Sequence, residues 1–186
     1  MMTARMTNIL QVAVPVLETA RLKLRGHGLP DFISCAAMWA DPQVTQFIGG
    51  KPLTAEESWA RLLRYVGHWS LLGFGYWVIE EKERGKFIGE VGFADYKRDL
   101  QPSLDGIPEI GWVLCSQEQG KGYATEAVRA ATAWGDVHFL SGKTACIIHP
   151  ENVLSVRVAE KCGYRQAQST TYKGRPTLMF TREPQA

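Results

Sequence analysis

The run Gln119-Gly120-Lys121-Gly122-Tyr123-Ala124-Thr125-Glu126 is the stretch of this chain whose residue types and spacing suit it to holding an anion. Before it stands Ile110-Gly111-Trp112-Val113-Leu114, an apolar run of strand length. After it Ala124, Ala127, Val128, Ala131 and Trp134 recur at helical spacing. The run is therefore a strand-to-helix turn. Two glycines let peptide N–H groups converge with no side chain in the way, and the helix start adds unpaired donors and the positive end of its dipole. Such a concavity suits a phosphate or pyrophosphate. Two common phosphate motifs do not fit. A P-loop needs Ser or Thr after Gly-Lys, where Gly122 stands, and a dinucleotide fingerprint needs a third small residue where Thr125 stands.

Gln119, Gly122 and Ala124 do match the pattern Gln-x-x-Gly-x-Ala, which resembles the acyl-CoA pyrophosphate loop of the GNAT acetyltransferases. A second stretch lies downstream, His149-Pro150-Glu151-Asn152-x-x-Ser155 followed by Glu160-Lys161-Cys162-Gly163-Tyr164. It resembles the Asn-x-x-Ser helix of that family and its Glu-Lys-x-Gly-aromatic end. The run from Glu109 to Ala127 is most similar to the branch that acetylates ribosomal proteins and related amines. The resemblance covers residues 17–182.

That resemblance implies acetyl-CoA as the acyl donor and direct transfer to a primary amine, either a protein N-terminal α-amine or a small-molecule amine. It implies cofactor contacts from the backbones of Trp112, Val113 and Leu114, from the turn Gln119, Gly120, Lys121, Gly122, Tyr123, Ala124 and Thr125, and from Asn152 and Ser155. Ser155 is the implied proton donor to the departing thiolate. The tyrosine that many relatives carry four residues later is replaced by Ala159. A backbone N–H on the Leu114 strand would serve the oxyanion, a contribution of about 3 kcal/mol when preorganised. Glu109 and Glu90 are the carboxylates expected to face the cleft as base, directly or through water. An α-amine with a pKa of about 8 is roughly a tenth neutral at pH 7, against about 0.04% for a lysine, so a weak base suffices for the former. The contrasting reading is a CoA-binding sensor or partner protein that keeps the loop without catalysis.

The totals agree with a single domain. At 186 residues and 45% apolar composition the chain can bury a full core without disulfides or metal. Lys and Arg number 21 against 19 Asp and Glu, a net charge of +2 with no basic block, so neither nucleic acid nor a membrane surface is an expected partner. Cys35, Cys115, Cys146 and Cys162 are scattered with no Cys-x-x-Cys and no leader before them, which fits reduced thiols in a cytoplasm. Cys115 and Cys162 lie beside the motifs, but neither has a histidine partner recognisable from the sequence. His27, His68 and His138 lie too far apart in the pattern to form a metal set, so no metal is expected.

The elements that must position these residues follow from local pattern. Residues 1–16 read as a loose arm and residues 17–186 as the acetyltransferase domain. Residues 21–25 alternate as a strand, and a helix from Asp31 stops near Asp41-Pro42. Thr54-Ala55-Glu56-Glu57 is a capping box opening a helix through Trp59, Leu62, Leu63, Val66 and Trp69. Residues 74–79 and 86–93 form a hairpin, 97–108 a loop, 143–148 a strand, and Asn152 caps a helix that Gly163 ends. A last hairpin turns at Gly174-Arg175-Pro176 and offers an edge for a homodimer, so monomer and homodimer both stand. The expected fold is α+β, one mixed and mostly antiparallel twisted sheet flanked by helices, with two central strands splayed apart.

Overall fold

The computed structural model describes residues 13–184. Eight strands form one sheet in the order β1-β2-β3-β4-β5-β6-β8-β7: β1 Leu17–Glu18, β2 Leu22–Arg25, β3 Tyr76–Glu81, β4 Lys86–Ala94, β5 Glu109–Leu114, β6 Thr144–Ile148, β7 Arg165–Tyr172 and β8 Arg175–Arg182. Five helices flank it: α1 Phe32–Trp39, α2 Pro42–Thr45, α3 Ala55–Leu72, α4 Tyr123–His138 and α5 Val153–Lys161. Every adjacent pair of strands is antiparallel except β5 and β6, which α4 connects as a parallel crossover. This is the expected α+β fold with a mixed sheet.

Alternation along the strands divides the core between two faces. Ile79, Ile88, Val91, Phe93 and Leu114 pack against Ala127, Val128 and Ala131 of α4. Their neighbours Val78, Phe87 and Val113 point the other way, onto Cys35, Met38 and Trp39 of α1 and Leu62 of α3. Both faces of β4 are covered, so all of it beyond Lys86 is buried, as a central strand requires. Local chemistry sets the helix ends. Thr54 accepts from Glu57 N–H while Glu57 accepts from Thr54 N–H, the reciprocal pair that opens α3. Gly73 then ends α3 in the left-handed conformation, at φ 73°.

Two short elements were not expected. Pro42 ends α1 but also opens α2 as its first residue, with Asp41 accepting from Gln43 N–H as the cap. β1 is too short to show a periodicity and exists by pairing, Leu17 with Leu24 and Glu18 with Lys23. The expected arm over residues 1–16 lies mostly outside the described residues. Of its last residues, Val14 packs against the core and Pro15 O accepts from Trp77 Nε1 at 2.8 Å.

The feature that positions the site is the parting of β5 from β6. β5 pairs with β4 from Gly89↔Leu114 to Ala94↔Glu109, but with β6 only at Glu109↔Ala145, where Ala145 N–H donates to Pro108 O. Beyond Glu109 the two central strands diverge, as the splay predicts.

Candidate active site

Backbone alternation on β5 decides which peptide groups face the gap. Cys115 N–H donates to Ile88 O on β4, so in an antiparallel ladder the peptide groups of Val113 and Gly111 also point to β4. Those of Trp112 and Leu114 point the other way, into the gap. Gln119 fits this: its Nε2 donates to Leu114 O at 3.3 Å, which ties the glycine turn to the strand end. The expectation that Trp112, Val113 and Leu114 all offer backbone groups to the cofactor is corrected at Val113. Its polar groups belong to the β4 ladder, and it contributes a buried side chain instead. Trp112 N–H and C=O and Leu114 N–H are the groups that need a partner.

The glycine turn lies between the end of β5 and the start of α4. Gly120 and Gly122 take positive φ, 76° and 82°, which a side chain would strain. Gly122 is the N-cap of α4 and offers no side chain, so the N–H groups of Tyr123, Ala124 and Thr125 lack an intrahelical acceptor. Nothing stands within 4 Å of where a Cβ of Gly120 would lie, and the turn is exposed. The turn is braced from outside. Lys121 Nζ and Lys86 Nζ each lie 2.8 Å from the buried carboxylate of Glu118, whose pKa those contacts hold down to about 2. Arg21 donates to Lys121 O, stacks over Tyr123 at 4.5 Å and pairs with Glu126 at 2.6 Å. Lys121 thus spends its charge on Glu118, leaving its backbone as the part free for an anion.

On the far side of the gap, Asn152 caps α5 by accepting from Ser155 N–H at 3.2 Å, so its side-chain N–H₂ stays free to donate. Asn152 and Ser155 line a cleft of about 610 Å³ together with Gly111, Trp112 and Val113. His149 also lines it, stacked on Phe47.

The two expected base carboxylates are both committed elsewhere. Glu109 lines the cleft, but Arg98 Nε and Nη2 donate to its two oxygens at 2.6 and 2.7 Å. Glu90 is 1% exposed and lies behind the cleft wall, where Cys35 Sγ (3.2 Å) and Trp39 Nε1 (3.0 Å) donate to it and His27 Nε2 lies 3.1 Å away. Each Glu109 oxygen already accepts from Arg98 and Glu90 is closed off from the cleft, which argues against direct contact of either with a substrate ammonium. The Glu90 group also brings His27 and Cys35 to one point, within 4.8 Å of each other and of the carboxylate. Histidine spacing alone did not show that cluster.

A family model described as Acetyltransferase (GNAT) domain matches residues 21–165. The chain belongs to the GNAT acetyltransferase family. It is 40% identical over 150 residues to the N-acetyltransferase YnaD of Bacillus subtilis, covering 81% of this chain and 82% of that one. A GNAT-family acetyltransferase structure from Bordetella pertussis superposes with a TM-score of 0.80 at 30% identity, covering 91% of this chain and 99% of that one. The fold alone is shared with RimL, a ribosomal L7/L12 α-N-protein acetyltransferase solved with coenzyme A, at 14% identity and a TM-score of 0.72 over 91% and 98% of the two chains.

The cysteines of this GNAT acetyltransferase are poor nucleophiles. Burial pushes the thiols of Cys115 and Cys162 up to about 11 and those of Cys35 and Cys146 higher still, so none is a thiolate at neutral pH. Sequence reasoning missed the cations of the cleft, Arg61, Arg64 and Arg98. A signal for one existed: Arg61, Tyr65 and His68 recur at i, i+4 and i+7 on α3, beside the apolar stripe.

Proposed function

We propose that this GNAT acetyltransferase moves an acetyl group from acetyl-CoA directly to a primary amine, with an α-amine such as a protein N-terminus as the acceptor. The observation that carries the reading is the strand gap. Trp112 faces it with unpaired peptide groups, the Asn152–Ser155 turn of α5 lines it, and the uncapped start of α4 follows the end of the same strand.

Bound there, acetyl-CoA supplies an activated thioester carbonyl. The N–H groups of Tyr123, Ala124 and Thr125 hold the pyrophosphate, with the open glycine backbone giving close approach. Trp112 and the free Asn152 amide bind the amide-bearing arm. Leu114 N–H would serve as the oxyanion donor, and Ser155 Oγ–H would pass a proton to the departing thiolate while taking one back from water. Proton removal from the amine falls to water, because Arg98 holds both oxygens of Glu109 and Glu90 is buried. Water is adequate for an α-amine that is roughly a tenth neutral at pH 7 and poor for a lysine. That asymmetry, together with the similarity of residues 109–127 to the ribosomal-protein branch, supports the α-amine over a side-chain amine.

Thiol release from acetyl-CoA by the purified protein tests the reading, with short peptides bearing free N-termini set against N-acetylated controls. Release stimulated by the free N-termini is expected. Tight acetyl-CoA binding with no amine-stimulated release would support the sensor reading instead.

A further inference from the structure

The charge of the cleft is out of proportion to that of the chain. The whole chain carries +2, yet Lys51, Arg61, Arg64, Arg98, Lys173 and Arg175 all line the cleft, and Glu109 is the one carboxylate among its lining residues. Arg98 is neutralised by Glu109, and Lys51 has an exposed partner in Glu57. Among the described residues Arg61, Arg64, Lys173 and Arg175 have no carboxylate within ion-pair distance. Arg175 donates only to Gln46 O, which draws the β7–β8 turn onto the loop after α2.

Arg61 is the most committed to the cleft. Its guanidinium lies over the Trp39 ring at 3.9 Å, and Nη1 donates to Tyr65 Oη at 3.3 Å. Its Nε is buried without an acceptor, and Nη2 has no acceptor among the described residues. The aromatic stack fixes the plane of the guanidinium, and Nη2 is the N–H₂ group left to donate to a carboxylate. The carboxylate of Glu90 lies behind the Trp39 wall and is occupied by its own three neighbours. These cations are also remote in sequence from the turn 119–125, where the only lysine, Lys121, is already paired with Glu118.

We propose that the acceptor is an anionic amine, a peptide N-terminus followed by acidic residues or a small amine bearing carboxylates, anchored by Arg61 with Arg64 and the Lys173–Arg175 turn as the surrounding field. This rests on the acetyltransferase reading of the same cleft and adds the substrate class. The field does two things. It attracts and orients the acceptor's carboxylates, and it disfavours the ammonium form of the incoming amine, which eases deprotonation where no free carboxylate serves as base. Polyamines and aminoglycosides, which are polycations, are repelled by the same field.

The test compares tetrapeptides that share a first residue and differ only in the next three, all acidic, all neutral or all lysine. kcat/KM is read from thiol release, and calorimetry ranks the N-acetylated forms of the same peptides in the presence of CoA. The acidic peptide is expected to exceed the neutral one by about tenfold or more, with the lysine peptide last and the gap shrinking as salt is raised. Arg61→Gln is expected to raise KM for the acidic peptide by about tenfold more than for the neutral peptide, with little change for acetyl-CoA. Arg64→Glu, at an exposed position of α3, gives the same loss of preference if Arg61→Gln fails to fold. Equal use of acidic and neutral peptides, a preference for lysine, or variants that weaken all acceptors alike would overturn the inference while leaving the transferase. Absence of thiol release with every peptide would overturn the peptide acceptor, and the calorimetric ranking then decides the charge preference alone.

Discussion

Ser155 stands third in α5, its N–H already used by the Asn152 cap and its hydroxyl left to the cleft. A hydroxyl so placed acts only as the thiolate leaves, so Ser155→Ala should lower kcat by about 10- to 100-fold with KM for acetyl-CoA nearly unchanged. Unchanged kcat would move the proton donation to water. Glu109 makes the sharper case, because its two oxygens are both on Arg98. A base held so would have to break a bidentate pair before accepting a proton. Glu109→Gln should therefore leave the acid limb of the kcat/KM profile where it is, set by the acceptor amine, while stability falls by about 3 kcal/mol as Arg98 loses its counter-charge. A displaced or vanished limb would restore Glu109 as the base.

At the scale of elements, the glycine turn between β5 and α4 is the most constrained segment. A Cβ on Gly122, at φ 82°, would lie 3.4 Å from Arg21 Nη2 and would force a conformation costing roughly 1–2 kcal/mol. Gly122→Val should raise KM for acetyl-CoA by tenfold or more and abolish most turnover, with the circular dichroism of the fold retained. Full activity would remove the turn from the phosphate site. This segment was legible because its chemistry is local, as were the Thr54 box, the Asn152 cap and the hairpin turn before β4. What could not be read depends on residues far apart in the chain. Whether Val113 or its neighbours offer backbone to the gap is decided by one register, Glu90↔Val113, that no local pattern encodes. The fate of Glu90 depends on side chains more than fifty residues earlier, and that of Glu109 on an arginine within an aperiodic loop.

The whole molecule carries few net charges but pairs its buried ones closely, and that sets the pH range over which it is stable. Lys121 and Lys86 hold Glu118 at about 2, Arg84 lowers Glu81, and Thr19 and Arg21 lower Glu126 against the opposing effect of its burial. A carboxylate depressed on folding binds fewer protons than its unfolded counterpart between its folded pKa and the ordinary value of 4.5. Stability therefore rises with pH through that interval and is fully present above it. The thiols act in the opposite sense. Cys115 and Cys162, raised by burial from 9.0 to about 11, keep their protons after the unfolded chain has lost them, so stability falls as pH climbs through that range. Urea midpoints should thus be level between about pH 5 and 9 and decline on both sides. Glu118→Gln should lower the plateau and flatten the acid decline, since Gln has no proton to take up, and Cys115→Ala should flatten only the alkaline one. An acid limb unaltered by Glu118→Gln would mean that Lys86 and Lys121 do not hold that carboxylate in solution. The brace that ties the glycine turn to β4 would then be lost from the account of the site as well.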